Sequence, residues 1–136
     1  MKRTFVMIAT LVVVAACVST NAAVLDKTVK LPPICPDGVA MFTTADKVGQ
    51  DYREIAILNS KGEATWTDES DMYKSQRKKA ASLGANGIIV TNINEPKPGT
   101  KIIAAVVGVG VDRKGSSVAI HIPADTQRVR IACTGQ

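Results

Sequence analysis

The stretch from Lys78 to Val90 (K-K-A-A-S-L-G-A-N-G-I-I-V) changes its period midway, and that change decides the fold class. Up to Leu83 the apolar spacing is helical: Met72, Gln76, Ala80 and Leu83 share one face, with Tyr73 and Ala81 beside it. Gly84 is the expected stop. Asn86 and Gly87, which tolerate left-handed geometry, then turn the chain into Ile88-Ile89-Val90-Thr91-Asn92-Ile93, a mostly buried strand. Upstream, Asp68, Glu69, Ser70 and Asp71 suit the positive end of a helix and can cap its free N–H groups. The helix is therefore predicted from Ser70 to Leu83.

Strands are expected on both sides of this unit. Residues 38–43 (G-V-A-M-F-T) read as a first strand and residues 52–58 (Y-R-E-I-A-I-L) as a second, closed by a turn at Asn59-Ser60-Lys61-Gly62. Residues 64–67 add a short strand. After a loop at residues 95–99, residues 101–111 form a long strand of Ile, Ala, Val and Gly. Asp112-Arg113-Lys114-Gly115 is read as a hairpin turn. Residues 117–122 return, residues 123–126 turn again, and residues 129–132 close the domain. The expectation is an α+β domain over residues 37–136, one main helix packed on a mostly antiparallel sheet. Aromatic residues make up only 4% of the chain, so its core has to be built from Val, Ile, Ala and Leu.

The run from Lys78 to Val90 resembles the helix–turn–strand core of small bacterial proteins typified by RcsF-like lipoproteins and the YbjQ family, which reads A-x-x-L-G-A-N-A-V/I. Tyr52-Arg53-Glu54-Ile55-Ala56 is similar to the segment those families place upstream of the helix. The resemblance implies a helix on a mainly antiparallel sheet over residues 39–111. It implies no single function, because the resembling proteins differ in theirs. RcsF-like sensors carry four disulfide-forming cysteines in the domain, where this chain has two.

The N-terminus reads as an export signal. Lys2 and Arg3 are followed by an uncharged apolar run, residues 5–16, shorter than the roughly 20 residues a membrane span needs. It ends in Val14-Ala15-Ala16-Cys17, which looks like a lipobox, so residues 1–17 are expected to be a signal peptide with Cys17 lipidated. Cleavage after Ala22 or Ala23 is the alternative. Residues 18–36, with Pro32, Pro33 and Pro36, read as a flexible tether reaching roughly 25 Å. With Cys17 lipidated, Cys35 and Cys133 remain to pair as a disulfide; two unpaired thiols are the other possibility. The bridge would close a loop of about 100 residues, for which the chain-entropy estimate reaches about 4.7 kcal/mol.

Charge and motifs exclude more than they assign. The formal charge is +5, from 17 basic and 12 acidic residues, and losing Lys2 and Arg3 with the signal lowers it to roughly +3. That excess does not argue for nucleic acid, though it suits anionic headgroups. Lys74, Arg77, Lys78 and Lys79 form a basic helix face, a possible contact with an anionic surface or simply a solvated face. His121 is the sole histidine, so no triad or two-histidine metal site can form within the chain. It is expected on a solvent-facing side of its strand. L-G-A-N-G is read as structural, and Asp68, Glu69 and Asp71 as helix-end electrostatics. No cofactor, metal site or catalytic group is expected.

These readings lead to a non-enzymatic envelope protein, anchored by its lipid in the outer membrane and facing the periplasm, that binds, scaffolds or senses another envelope protein. A soluble periplasmic or secreted protein is the alternative location. A small-ligand or metal-binding module is the alternative function.

Overall fold

In a computed structural model, residues 17–64, 66–94 and 112–135 are described. They form β1 (Ser19–Val24), β2 (Ala40–Phe42), β3 (Arg53–Glu63), α1 (Glu69–Ser82), β4 (Gly87–Asn94), β5 (Asp112–His121) and α2 (Thr126–Thr134). The strands make one sheet in the order β1-β3-β5-β4-β2. Every neighbouring pair is antiparallel except β2 with β4. The fold is α+β, as the change of period predicts.

The central unit follows from its local chemistry. Asp71 N–H donates to the Asp68 carboxylate at 2.8 Å and Asp68 N–H donates back to Asp71 at 3.2 Å, a capping box that satisfies two free donors. At the other end Gly84 has φ +75°. Its N–H donates to the carbonyl of Ala81, and Ala85 N–H to that of Ala80, a Schellman motif that needs the left-handed residue. α1 buries Met72, Gln76, Ala80 and Ala81. Ala80 and Ala81 belong to a core cluster with Val39, Ile55, Ala56, Leu58, Ile88 and Ala119. A smaller cluster of Val48, Ile120 and Ile122, with Phe42, Tyr52, Ile89 and Val118 against it, sits apart from the first.

Several local expectations give way to the tertiary fold. Residues 19–24 lie inside the stretch read as a tether, yet they form edge strand β1, paired with β3 from Ser19↔Lys61 to Val24↔Ala56. Asn59-Ser60-Lys61-Gly62 is not a turn, because β3 runs through it to Glu63. Asp112-Arg113-Lys114-Gly115 is likewise strand rather than hairpin turn, pairing with residues 60–63. Residues 64 and 66 belong to a turn, not a short strand. The closing segment, residues 129–132, is part of α2 rather than a strand. Asn86 and Gly87 do not have positive φ. A Cβ on Gly87 would come within 2.9 Å of Ile120 Cγ1, so this glycine serves close packing. The loop and strand read at residues 95–111, and residues 1–16 of the signal segment, lie outside the described residues.

Cys35 and Cys133 form a disulfide with their Cα atoms 5.7 Å apart. It ties α2 to the 3-10 turn Pro36–Gly38 ahead of β2.

Candidate functional site

The sheet face away from α1 carries an ordered polar surface. β3 alternates strictly here: Leu58, Ser60 and Gly62 are buried, whereas Asn59 and Lys61 are exposed. Register aligns the exposed residues across the sheet. Asn21 of β1 stands opposite Asn59, Asn59 opposite Ser116, and Ser116 opposite Asn92 of β4. At a strand spacing of about 4.8 Å this amide–hydroxyl row is about 14 Å long. The next pair of side chains toward the sheet end is Lys61 opposite Lys114, and the next row the other way is Ala23, Ile57, Val118 and Ile89. Lysines, amides and aliphatic side chains thus succeed one another along the strands.

Asparagine is depleted in strands because its side chain competes with the backbone for hydrogen bonds. Three of them in one row call for another explanation than strand stability. The Ser116 hydroxyl donates to Asn59 Oδ1 at 3.3 Å, and Lys61 pairs with Asp112 at 2.9 Å. Asn21, Asn59, Asn92, Ser116 and the two lysines line a shallow hollow of about 270 Å³. Amides and hydroxyls both donate and accept, and ammonium groups donate. The row's chemistry is that of hydrogen-bonding recognition.

The sequence-derived candidates do not converge on this face. Lys74 is exposed and pairs with Asp71 at 3.6 Å. Arg77 and Lys79 are half-buried and Lys78 is exposed. Lys78 and Lys79 share a hollow with Thr20, Ser75 and Ser82. Asp68 and Asp71 are engaged by the capping box. Asn86 is buried with both amide atoms used: its Nδ2 donates to the Ile122 carbonyl at 2.8 Å, and its Oδ1 accepts from Ile122 N–H at 2.7 Å. L-G-A-N-G is therefore a structural clamp between the helix end and β5. His121 is not solvent-facing. It is half-buried and lines a hollow with Leu31, Pro32 and Ile34. Cys17 is exposed and free.

Among the described residues Asp26 and Tyr73 depart from ordinary titration, and neither lines the row. Asp26 is held below its usual 3.8, first by the Thr28 hydroxyl and then by the Thr28 N–H, with Arg53 adding attraction. Burial, followed by the nearby charge of Glu69, raises Tyr73.

No family model matches the chain, and no curated protein matches its sequence. A solved structure is similar: the crystal structure of the Francisella virulence factor FvfA aligns with a TM-score of 0.51 and 16% identity, covering 75% of this chain and 96% of that one. At that identity the likeness is one of fold alone. Among the described residues no helix is long and apolar enough to cross a membrane. That fact and the disulfide are compatible with an exported protein.

Proposed function

We propose that this chain is an exported envelope protein, lipid-anchored through Cys17, that works by binding another envelope component at the open sheet face. The observation that carries the binding role is the amide–hydroxyl row, four polar side chains in register across four strands. A buried core would not select them, and strand propensity opposes them. The lipobox ahead of Cys17 and the resemblance of residues 78–90 to small envelope proteins support the setting. The outer membrane is the favoured location, since Val18 and Ser19 offer no acidic retention signal after the cysteine.

The test is photo-cross-linking in the native envelope from a probe at position 59, with a probe at position 78 on the basic face of α1 as comparison. The expected result is a discrete adduct from position 59 that position 78 does not give. Equal adduct patterns from both positions, or an adduct from position 78 alone, would reject the sheet face as the binding surface.

A further inference from the structure

The point of anchoring and the body of the domain are joined without a spacer. Cys17 is exposed, and two residues later Ser19 already pairs with Lys61. The next residue, Thr20, is tied to the helix through its hydroxyl, 2.6 Å from that of Ser75. The Ser75 hydroxyl also donates to the Val18 carbonyl at 3.4 Å. Residues 18–20 are thus part of the packed domain. An acyl chain on Cys17 would bring the sheet end where β1 begins to the bilayer surface.

The antiparallel pairing of β1 with β3 puts the far end of β3 at the same place. A Cβ on Gly62 would meet Val18 Cγ2 at 3.0 Å and Thr67 Oγ1 at 2.7 Å, so the turn after β3 lies next to the start of β1. That turn is firmly built: the N–H groups of Trp66 and Thr67 and the Thr67 hydroxyl all donate to the Glu63 carbonyl. It presents Trp66, which at 75% exposure leads the large hydrophobic side chains of the described residues. It is also the one tryptophan of the chain. Two of the lysines at this end pair within the protein, Lys61 with Asp112 and Lys74 with Asp71. An exposed apolar ring suits a lipid interface better than an anionic polymer.

We infer that Trp66 is a second membrane contact, its indole seated among the lipid headgroups beside the acylated Cys17. An indole has an apolar body and one polar N–H, the combination that favours the boundary between headgroup and hydrocarbon. Two contacts fix an orientation where one would leave the domain free to swivel. The strands then stand end-on to the bilayer, and the open face looks sideways along its surface. This inference rests on the lipid anchor proposed above.

Trp66 supplies its own readout. Full-length protein is purified from membranes, the mass of its N-terminus is measured, and it is placed in phosphatidylcholine–phosphatidylglycerol vesicles with bromine near the headgroup end of the acyl chains. Soluble protein made without residues 1–17 gives the water-exposed reference, and lipidated Trp66→Ser the blank. The expected result is tryptophan emission at shorter wavelength than the reference and loss of intensity on brominated lipid. A lipidated protein whose emission matches the soluble reference overturns the inference and leaves the anchor standing. An N-terminus without lipid overturns both. Emission that shifts only when a second protein is added assigns Trp66 to a protein contact and also overturns the inference.

Discussion

The two α-helices of the described residues are fastened to the same sheet by different means. α1 buries Met72, Gln76, Ala80 and Ala81, whereas α2 buries no residue completely. What holds α2 is a set of discrete links. The disulfide joins Cys133 to Cys35. Arg128 donates to the carbonyls of Gly38 and Asn86 at 3.0 Å each and pairs with Asp125. The contrast shows how a chain poor in aromatic residues divides its labour. Where small aliphatic side chains can interdigitate, burial suffices. Where they run out, covalent and charged links take over. Burial is spread over many atoms, so its loss weakens the whole domain. A link can fail alone.

Leu58→Ala, in the cluster beneath α1, should have the largest effect, costing about 2–5 kcal/mol. Chemical denaturation should show both helices and the sheet melting together at lower denaturant. Retention of α1 after α2 has gone would break the comparison. Replacing both Cys35 and Cys133 by Ser should cost about 2–4 kcal/mol. Amide exchange should quicken first in α2 and in residues 36–38, with β3 and β5 still protected. Arg128→Ala, which removes charge-assisted bonds to two carbonyls, should cost about 1.5–3 kcal/mol and raise exchange in α2 with the disulfide intact. Asp68→Ala removes half of the capping box and should lower stability by about 1 kcal/mol, read as a small shift in the denaturation midpoint. The smallest change is expected for Ile131→Lys, at a side chain 65% exposed, which should stay within about 0.5 kcal/mol. A larger loss there would mean that α2 is held by packing after all.

What the sequence reveals follows the same division. α1 is legible because its cap, its apolar face and Gly84 are local signals that agree. β4 is legible from its run of Ile and Val. The ends of β3 and β5 are not, because Asn59-Ser60-Lys61-Gly62 and Asp112-Arg113-Lys114-Gly115 are composed of turn residues. Their alternation is real, but Ser60, Gly62, Arg113 and Gly115 occupy the inward positions where Ile or Val would announce a strand. Ser60 is accommodated there by bonding: it accepts from Gln76 Nε2 at 2.8 Å and donates to the Gly115 carbonyl. β1 (S-T-N-A-A-V) has little strand propensity and takes its form from pairing with β3. α2 contains a short run of Val129, Ile131 and Ala132 that fits strand or helix equally, and neighbouring elements decide it. The disulfide could be reached by counting cysteines. The amide row could not, since Asn21, Asn59 and Asn92 become neighbours only through the register of four strands.

The link between Cys35 and Cys133 spans 98 residues of sequence, and this gives proteolysis two distinct outcomes. A single cut anywhere between these cysteines nicks the chain but leaves both fragments in one molecule, separable only after reduction. A single cut between residues 25 and 34 severs the chain that joins Cys17 and β1 to the rest. After that cut non-covalent contacts alone would keep the two parts together, chiefly the pairing of β1 with β3 and the bonds from residues 18–20 to α1. A protease would therefore leave the molecule in one piece on one side of Cys35 and begin to part it on the other.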